Sequence, residues 1–192
     1  MTFRRTRCPH CKGKMDPGVR IHPDCIAPWA EAQEAKAKRA EEKKARAAAK
    51  VERAQRKQRI WELMPLRDQL RLVQRDFNEW IRARDAAEPC ISCGAPPPDL
   101  SGLHAGRDAG HYRSVGAASH LRFHPDNVHA QCVHCNQFLA GNATEYRVRL
   151  LAKIGPERLA ALECSNTPRK WDHEQLRAIR DEAKRRMKEI AR

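Results

Sequence analysis

From Trp29 to Met64 the chain runs 36 positions without Gly or Pro, and Ala, Lys, Arg, Glu and Gln fill most of them. All five are strong helix formers. The pattern therefore predicts a helix about 54 Å long. Large apolar residues are nearly absent from its centre; Val51 is isolated and Ile60 lies near the end. Without a sustained apolar seam, the stretch does not predict a strong coiled coil. It reads either as a solvated basic helix that can lie along a phosphate backbone, or as a segment that orders only on DNA. The pattern changes at Pro65. Leu66, Leu70, Val73, Phe77, Trp80 and Ile81 recur mostly at steps of three and four. They predict an amphipathic helix, ending near Ala87, that packs on the central domain.

Residues 90–142 are rich in Gly, His, Asn, Cys and Pro and show no helical period until after Cys132. Two short strands around a loop, followed by a helix, are predicted there. Thr144 to Ile154 reads as a helix closed by Gly155, and Pro156 opens a short one through Glu163. A last helix begins at Asp172, where Asp172 and Gln175 have the spacing of a capping box. Its apolar stripe is Leu176, Ile179, Ala183, Met187 and Ile190; Lys184, Arg185 and Lys188 lie off it, toward solvent or phosphate. No internal repeat appears beyond the two cysteine clusters described below. The expected class is α+β, in three segments: 1–28, 29–64 and 65–192.

Charge changes this picture more than composition does. The 192 residues carry a net charge of +14, only 5% aromatics and a mean hydropathy of −0.80. A large apolar core is excluded. So is a membrane span, since no stretch approaches about 20 apolar residues. Met1 to Arg7 is basic without an apolar run behind it, so no secretory signal is expected. The cytoplasm of the host cell is the expected location, and in that reducing compartment a set of eight cysteines points to metal ligation rather than to disulfides. The positive charge is unevenly placed: residues 1–30 hold a net +4 and residues 31–60 a net +6, whereas residues 90–142 are neutral. Basic arms for affinity and a separate site for chemistry are the expected division, with nucleic acid as the partner.

Cys90 and Cys93 form one CxxC pair, and Cys132 and Cys135 another. Each two-residue spacer lets both thiolates of a pair face one ion, so the four predict a structural Zn²⁺ site. A second cluster, Cys8, Cys11, His22 and Cys25, suits a Cys₃His zinc finger, with His10 as a competitor for the fourth position. Cys164 is left over, and is expected as a small buried or half-buried residue near a helix end.

Between and just beyond the central pairs lies DAGHYRSVGAASHLRFHPDNVHAQCVHCNQFLAGN. A His on the first strand, an Asn before the second CxxC and an Asn directly after it resemble the HNH, or ββα-metal, nuclease motif; these are His111, Asn127 and Asn136. GHY, LRF, NVHAQCVHCNQ, Gly141–Asn142, Tyr146–Arg147 and the CISCG at Cys90–Gly94 further resemble the phage lambda NinG (Rap) recombination endonuclease family. The resemblance is densest over 90–150 and weak in the N-terminal finger and the Ala/Lys helix. It implies a metal-dependent endonuclease that cuts branched DNA, such as Holliday junctions and strand-invasion intermediates. It also implies a zinc-stapled ββα core with flanking helices and an N-terminal zinc finger.

The chemistry expected of the residues is compact. A neutral imidazole can take a proton from the attacking water, and His111 is the candidate base. By the resemblance, Asn136 is a ligand of the catalytic divalent ion and Asn127 holds the His111 loop or ring in place. Only Asp99, Asp108 and Asp126 supply carboxylates in 90–142, which favours one Mg²⁺ or Mn²⁺ over a two-metal site. Many HNH enzymes place a metal-binding Asp or His just before the base, where this chain has Gly110. Alternation along a strand puts Asp108 on the Gly110 face, so Asp108 can supply the missing ligand. Arg113 and Arg122 flank the site as candidate phosphate contacts. His129 and His134 are candidates for metal or phosphate contact or simple polar groups at a helix start. His104, His120, His124 and His173 read as surface or loop residues, and Tyr112 and Phe123 as core. Two symmetry-related cuts at a junction imply a homodimer. The alternatives are an HNH nuclease of another substrate class and a non-catalytic zinc-containing DNA-binding protein.

Overall fold

Helices dominate the chain, and the sheet that carries the central motif has only two strands. The structure is a computed structural model that describes residues 6–97 and 106–192. Asp99 and His104 lie outside the described residues. The chain divides into two units, Met1–Trp61 and Glu62–Arg192.

In the first unit an isolated antiparallel bridge joins Arg7 and Lys14. The turn between them is closed by the Cys8 N–H donating to the Gly13 carbonyl at 2.8 Å and the Lys12 N–H to the Cys8 carbonyl at 3.0 Å. A 3₁₀ turn at Pro23–Cys25 leads directly into α1, Ile26–Leu63. This helix starts three residues before the predicted Trp29. Pro28 is compatible with that start, because a proline in the first turn removes an N–H that has no intrahelical acceptor. Trp61 is its buried residue, and Val51 and Ile60 are exposed, in keeping with a chain that offers no apolar seam.

The second unit holds α2 (Leu66–Arg84), β1 (Arg107–His111), β2 (Val128–Cys132), α3 (Ala143–Ile154), α4 (Pro156–Cys164) and α5 (His173–Ile190). α2 packs against α5 and both strands. Its predicted face delivers Val73, Phe77 and Ile81 to the interior, each almost wholly buried. Burial on that scale stabilises by about 1.5–3 kcal/mol per side chain. Asp76 lies buried in the same contact and bonds Arg180 (2.7 Å) and Lys184 (3.4 Å) of α5, so the charge is compensated where it is desolvated. The Asp172 carboxylate caps α5 by accepting from the Gln175 N–H at 2.8 Å. A second cluster gathers Ile91, Ala118, Leu121, Tyr146, Leu150, Leu159 and Leu162 around the segments that flank the hairpin.

β1 and β2 pair antiparallel, with Arg107 opposite Cys132, Asp108 opposite Gln131, Gly110 opposite His129 and His111 opposite Val128. The helix expected straight after the second strand is a single π-helical turn, His134–Phe138. The next α-helix waits until Ala143, because Ala140, Gly141 and Asn142 adopt positive φ (48°, 85° and 44°), a conformation no helix continues through. A second correction concerns Cys164, which is exposed and not buried. It is the last residue of α4, off the face through which Leu159 and Leu162 reach the core. Among the described residues no helix is long and apolar enough to cross a membrane.

Candidate functional site

Both cysteine clusters assemble. The ligand atoms of Cys90, Cys93, Cys132 and Cys135 all lie within 4.8 Å of one another, as do those of Cys8, Cys11, His22 and Cys25. Sulfurs around a tetrahedral zinc, each about 2.3 Å from the ion, stand about 3.8 Å apart. Cys93 Sγ and Cys132 Sγ are 3.8 Å apart. The backbone N–H groups of Cys132 and Cys135 point at Cys90 Sγ (3.3 Å) and Cys132 Sγ (3.4 Å). Gly94 closes the first pair: its N–H donates to the Cys90 carbonyl at 2.9 Å, with φ of +72°. In the N-terminal cluster His22, not His10, takes the fourth position. Its Nε2 donates to the Lys14 carbonyl at 3.1 Å, which leaves the Nδ1 lone pair facing Cys11 Sγ at 3.2 Å. That fixed tautomer is the usual support for a metal-binding imidazole. Both donor sets fit structural zinc.

The central staple ties the end of β2 to the segment after α2, and so frames the hairpin. Asp108, on β1, accepts from the side-chain amides of Asn136 (2.8 Å) and Gln137 (2.9 Å), both on the π-helical turn. These bonds use Asp108 Oδ2 and the nitrogen of Asn136, leaving an oxygen of each side chain for a further partner. Gly110 explains why a ligand cannot come from the position before His111. A Cβ built there would stand 2.0 Å from Gln131 Oε1 and 3.0 Å from Gln131 Cβ. Gln131 cannot swing away freely, since its Nε2 donates to Ser92 Oγ (2.6 Å) and the Gly141 carbonyl (2.5 Å).

His111 ends β1 half-buried, and its Nε2 donates to the Arg122 carbonyl at 3.0 Å. That bond puts the proton on Nε2 and leaves Nδ1 as the basic atom. Burial, and secondarily the Arg122 charge, lowers its pKa against the opposing effect of the carbonyl bond. Asp108 and His111 occupy opposite faces of β1, three residues or about 10 Å along the strand. The structure thus brings Asp108 to Asn136 and His111 to the Arg122 loop, as two separate pairs that do not share a face of β1.

Asn127 is wholly buried and clasps the backbone on the His111 side. Its Oδ1 accepts from the Arg113 N–H (2.8 Å), and its Nδ2 donates to the carbonyls of Arg113 (3.0 Å) and Leu121 (3.1 Å). The two arginines are engaged within the chain. Arg113 donates to the carbonyls of Leu162 (2.8 Å) and Ser165 (2.5 Å) and to Asn166 Oδ1 (2.8 Å), gathering the C-terminal end of α4. Arg122 donates to Gln74 Oε1 at 2.6 Å and lies over the Phe123 ring. Phosphate contact by Arg113 would displace bonds made by both its terminal nitrogens, whereas the Arg122 bond to Gln74 uses Nε alone.

The remaining histidines separate by environment. His129 is buried, with Nδ1 3.2 Å from the Tyr146 hydroxyl, and burial first, then the Arg84 charge, pushes its pKa down to about 3. Its place is in the core. His134 is exposed and stacks on Phe138. His120 donates to the Ser165 carbonyl, and His124 Nδ1 accepts from the Asp126 N–H. Tyr112 is half-buried and donates to Glu163 at 2.6 Å, while Phe123 packs edge-on against Phe77 and Trp171. Sequence reasoning missed three supports: Gln131, Gln137, and Tyr146 as a donor to the Gly110 carbonyl at 3.0 Å. The only local hint was a polar residue at each of two successive β2 positions that alternation assigns to opposite faces, Gln131 and Cys132.

Comparison with known proteins identifies the lineage. The profile of the bacteriophage lambda NinG protein family matches residues 2–192. Protein ninG of Escherichia phage lambda is 40% identical over 121 residues, 63% of this chain and 56% of that protein. Protein ninG of Escherichia phage 933W is 40% identical and that of Salmonella phage P22 is 39% identical, each over 63% of this chain and 57% of the relative. The chain thus spans somewhat over half the length of these relatives. No solved structure matches. With the match running over nearly its whole length, the chain belongs to the bacteriophage lambda NinG family.

Proposed function

We propose that this protein is a metal-dependent endonuclease of the HNH type that cleaves branched DNA during phage recombination, in the cytoplasm of the host. The observation that carries this reading is the Asp108–Asn136 bond. It sets two oxygen-bearing side chains together on the hairpin and turn that the zinc staple frames. A hard divalent ion, Mg²⁺ or Mn²⁺, suits such oxygen donors and would neutralise charge on the scissile phosphate and the departing oxygen.

His111 Nδ1 accepts a proton from the attacking water, and the Arg122 carbonyl keeps the ring in the tautomer that permits it. Asn127 acts as a positioning residue, because its three bonds hold the backbone that follows His111. Homodimerisation would supply the two symmetric cuts a four-way junction needs.

The second reading is a zinc-containing DNA-binding protein without catalysis. The observation that favours it is the same His111–Arg122 bond, which also serves as a plain structural contact. Incubation of wild type and His111→Ala with a synthetic four-way junction, a linear duplex and a single strand, each with Mg²⁺ or Mn²⁺, separates them. The nuclease reading expects junction cleavage by wild type, lost by about a hundredfold or more in His111→Ala with binding kept. No cleavage by wild type supports the second reading, and equal cleavage of linear duplex points to an HNH nuclease of another substrate class.

A further inference from the structure

Lys36, Arg39, Lys43, Arg46, Lys50, Arg53 and Lys57 follow one another on α1 at alternating steps of three and four. A step of three turns a helix back by about 60° and a step of four turns it forward by about 40°, so the seven stay within an arc of about 100°. No glutamate of the helix falls in that arc; Glu31, Glu34, Glu41, Glu42, Glu52 and Glu62 project outside it. All seven are exposed, and among the described residues none is ion-paired. The stripe is about 32 Å long. Like charges at these spacings repel and destabilise an isolated helix. Such a row is stabilised when it meets a polyanion.

We propose that this stripe is a rail for the phosphate backbone of a DNA duplex, gripping an arm of the substrate independently of sequence. Its length matches about nine base pairs at 3.4 Å each. A membrane surface is a poorer match, since interfacial helices carry Trp, Phe or Leu beside the basic face, and this stretch of α1 has mainly alanine. The inference rests on the nucleic-acid part of the proposed function and not on cleavage.

The test is equilibrium binding of the full-length protein to a duplex of about 30 base pairs over a range of salt, without added Mg²⁺ or Mn²⁺. Two triple variants remove the same charge from the same helix. Arg46→Gln, Lys50→Gln and Arg53→Gln empty the middle of the stripe; Lys38→Gln, Lys44→Gln and Arg56→Gln lie at least about 60° outside the arc. Circular dichroism checks that both remain helical. The stripe variant is expected to lose affinity by tenfold or more and to flatten the slope of log K against log salt by about 2.7, at about 0.9 per phosphate contact. The off-stripe variant is expected to stay close to wild type. Equal losses in both, or no loss in the stripe variant, overturns the proposal. So does a stripe variant that keeps its DNA affinity but no longer binds anionic phosphatidylserine vesicles or an RNA duplex. Because no cleavage is read, failure of the nuclease reading leaves a distinct result.

Discussion

Asn136 donates its side-chain amide to the carboxylate of Asp108 at 2.8 Å, joining residues 28 positions apart across the turn that follows β2. The bond orients both side chains, and the steric block at Gly110 leaves Asp108 as the carboxylate that β1 offers on that face. Asp108→Asn preserves the shape and removes the charge. Divalent-ion-dependent cleavage is expected to fall at least about tenfold to a hundredfold, with a raised ion requirement. Single-turnover rates against Mn²⁺ concentration check this, and unchanged rates would remove Asp108 from the site.

His111 sits in a site that lowers its pKa, chiefly through burial. A base must be unprotonated to act, so activity is lost as pH falls through the folded pKa. The acid limb of the pH–rate profile is therefore expected below about 6.5, the ordinary histidine value. A limb at or above that value would show that another group is titrating.

His129 gives the fold its own pH dependence. The folded pKa is about 3, against about 6.5 unfolded. Between these values the unfolded chain binds the extra proton, so stability is full above about 6.5 and declines as pH falls toward 3. At pH 5 the loss is about 2 kcal/mol. Melting curves at pH 7 and pH 5 are expected to show this drop in wild type and a smaller one in His129→Gln. Equal drops would place the titration elsewhere.

Arg113 is expected to matter for stability more than for DNA affinity. Its guanidinium gathers carbonyls at the end of α4. Arg113→Ala should cost about 1.5–3 kcal/mol, the range for hydrogen bonds to a charged group, and leave the salt dependence of DNA binding unchanged. A flatter salt slope with an unchanged melting temperature would reverse the assignment.

Zinc content separates the cysteines. Wild type is expected to hold two ions per chain, Cys135→Ser or Cys8→Ser one, and the exposed Cys164→Ser still two. Atomic absorption on the purified proteins measures it. Loss of zinc from Cys164→Ser would place that residue in a cluster.

Local order could be read along the chain because its causes are local. Helix propensity and the three-and-four step placed α1 and the buried face of α2, and the CxxC and HxxC spacers picked out the eight ligands of both clusters, since two ligands on one knuckle need only a few residues to converge. Asp172 could be named as a cap because its acceptor reaches only three positions on. Tertiary contact decided what no spacing encodes. Residues 28 positions apart meet at Asp108 and Asn136 because two strands pair in one register and a π-helical turn carries the chain back. Arg113 turned from solvent to the end of α4, and Cys164 came to the surface, because burial depends on which neighbour a helix face meets. The pattern along a chain records which side chains share a face; only the packed chain determines what that face touches.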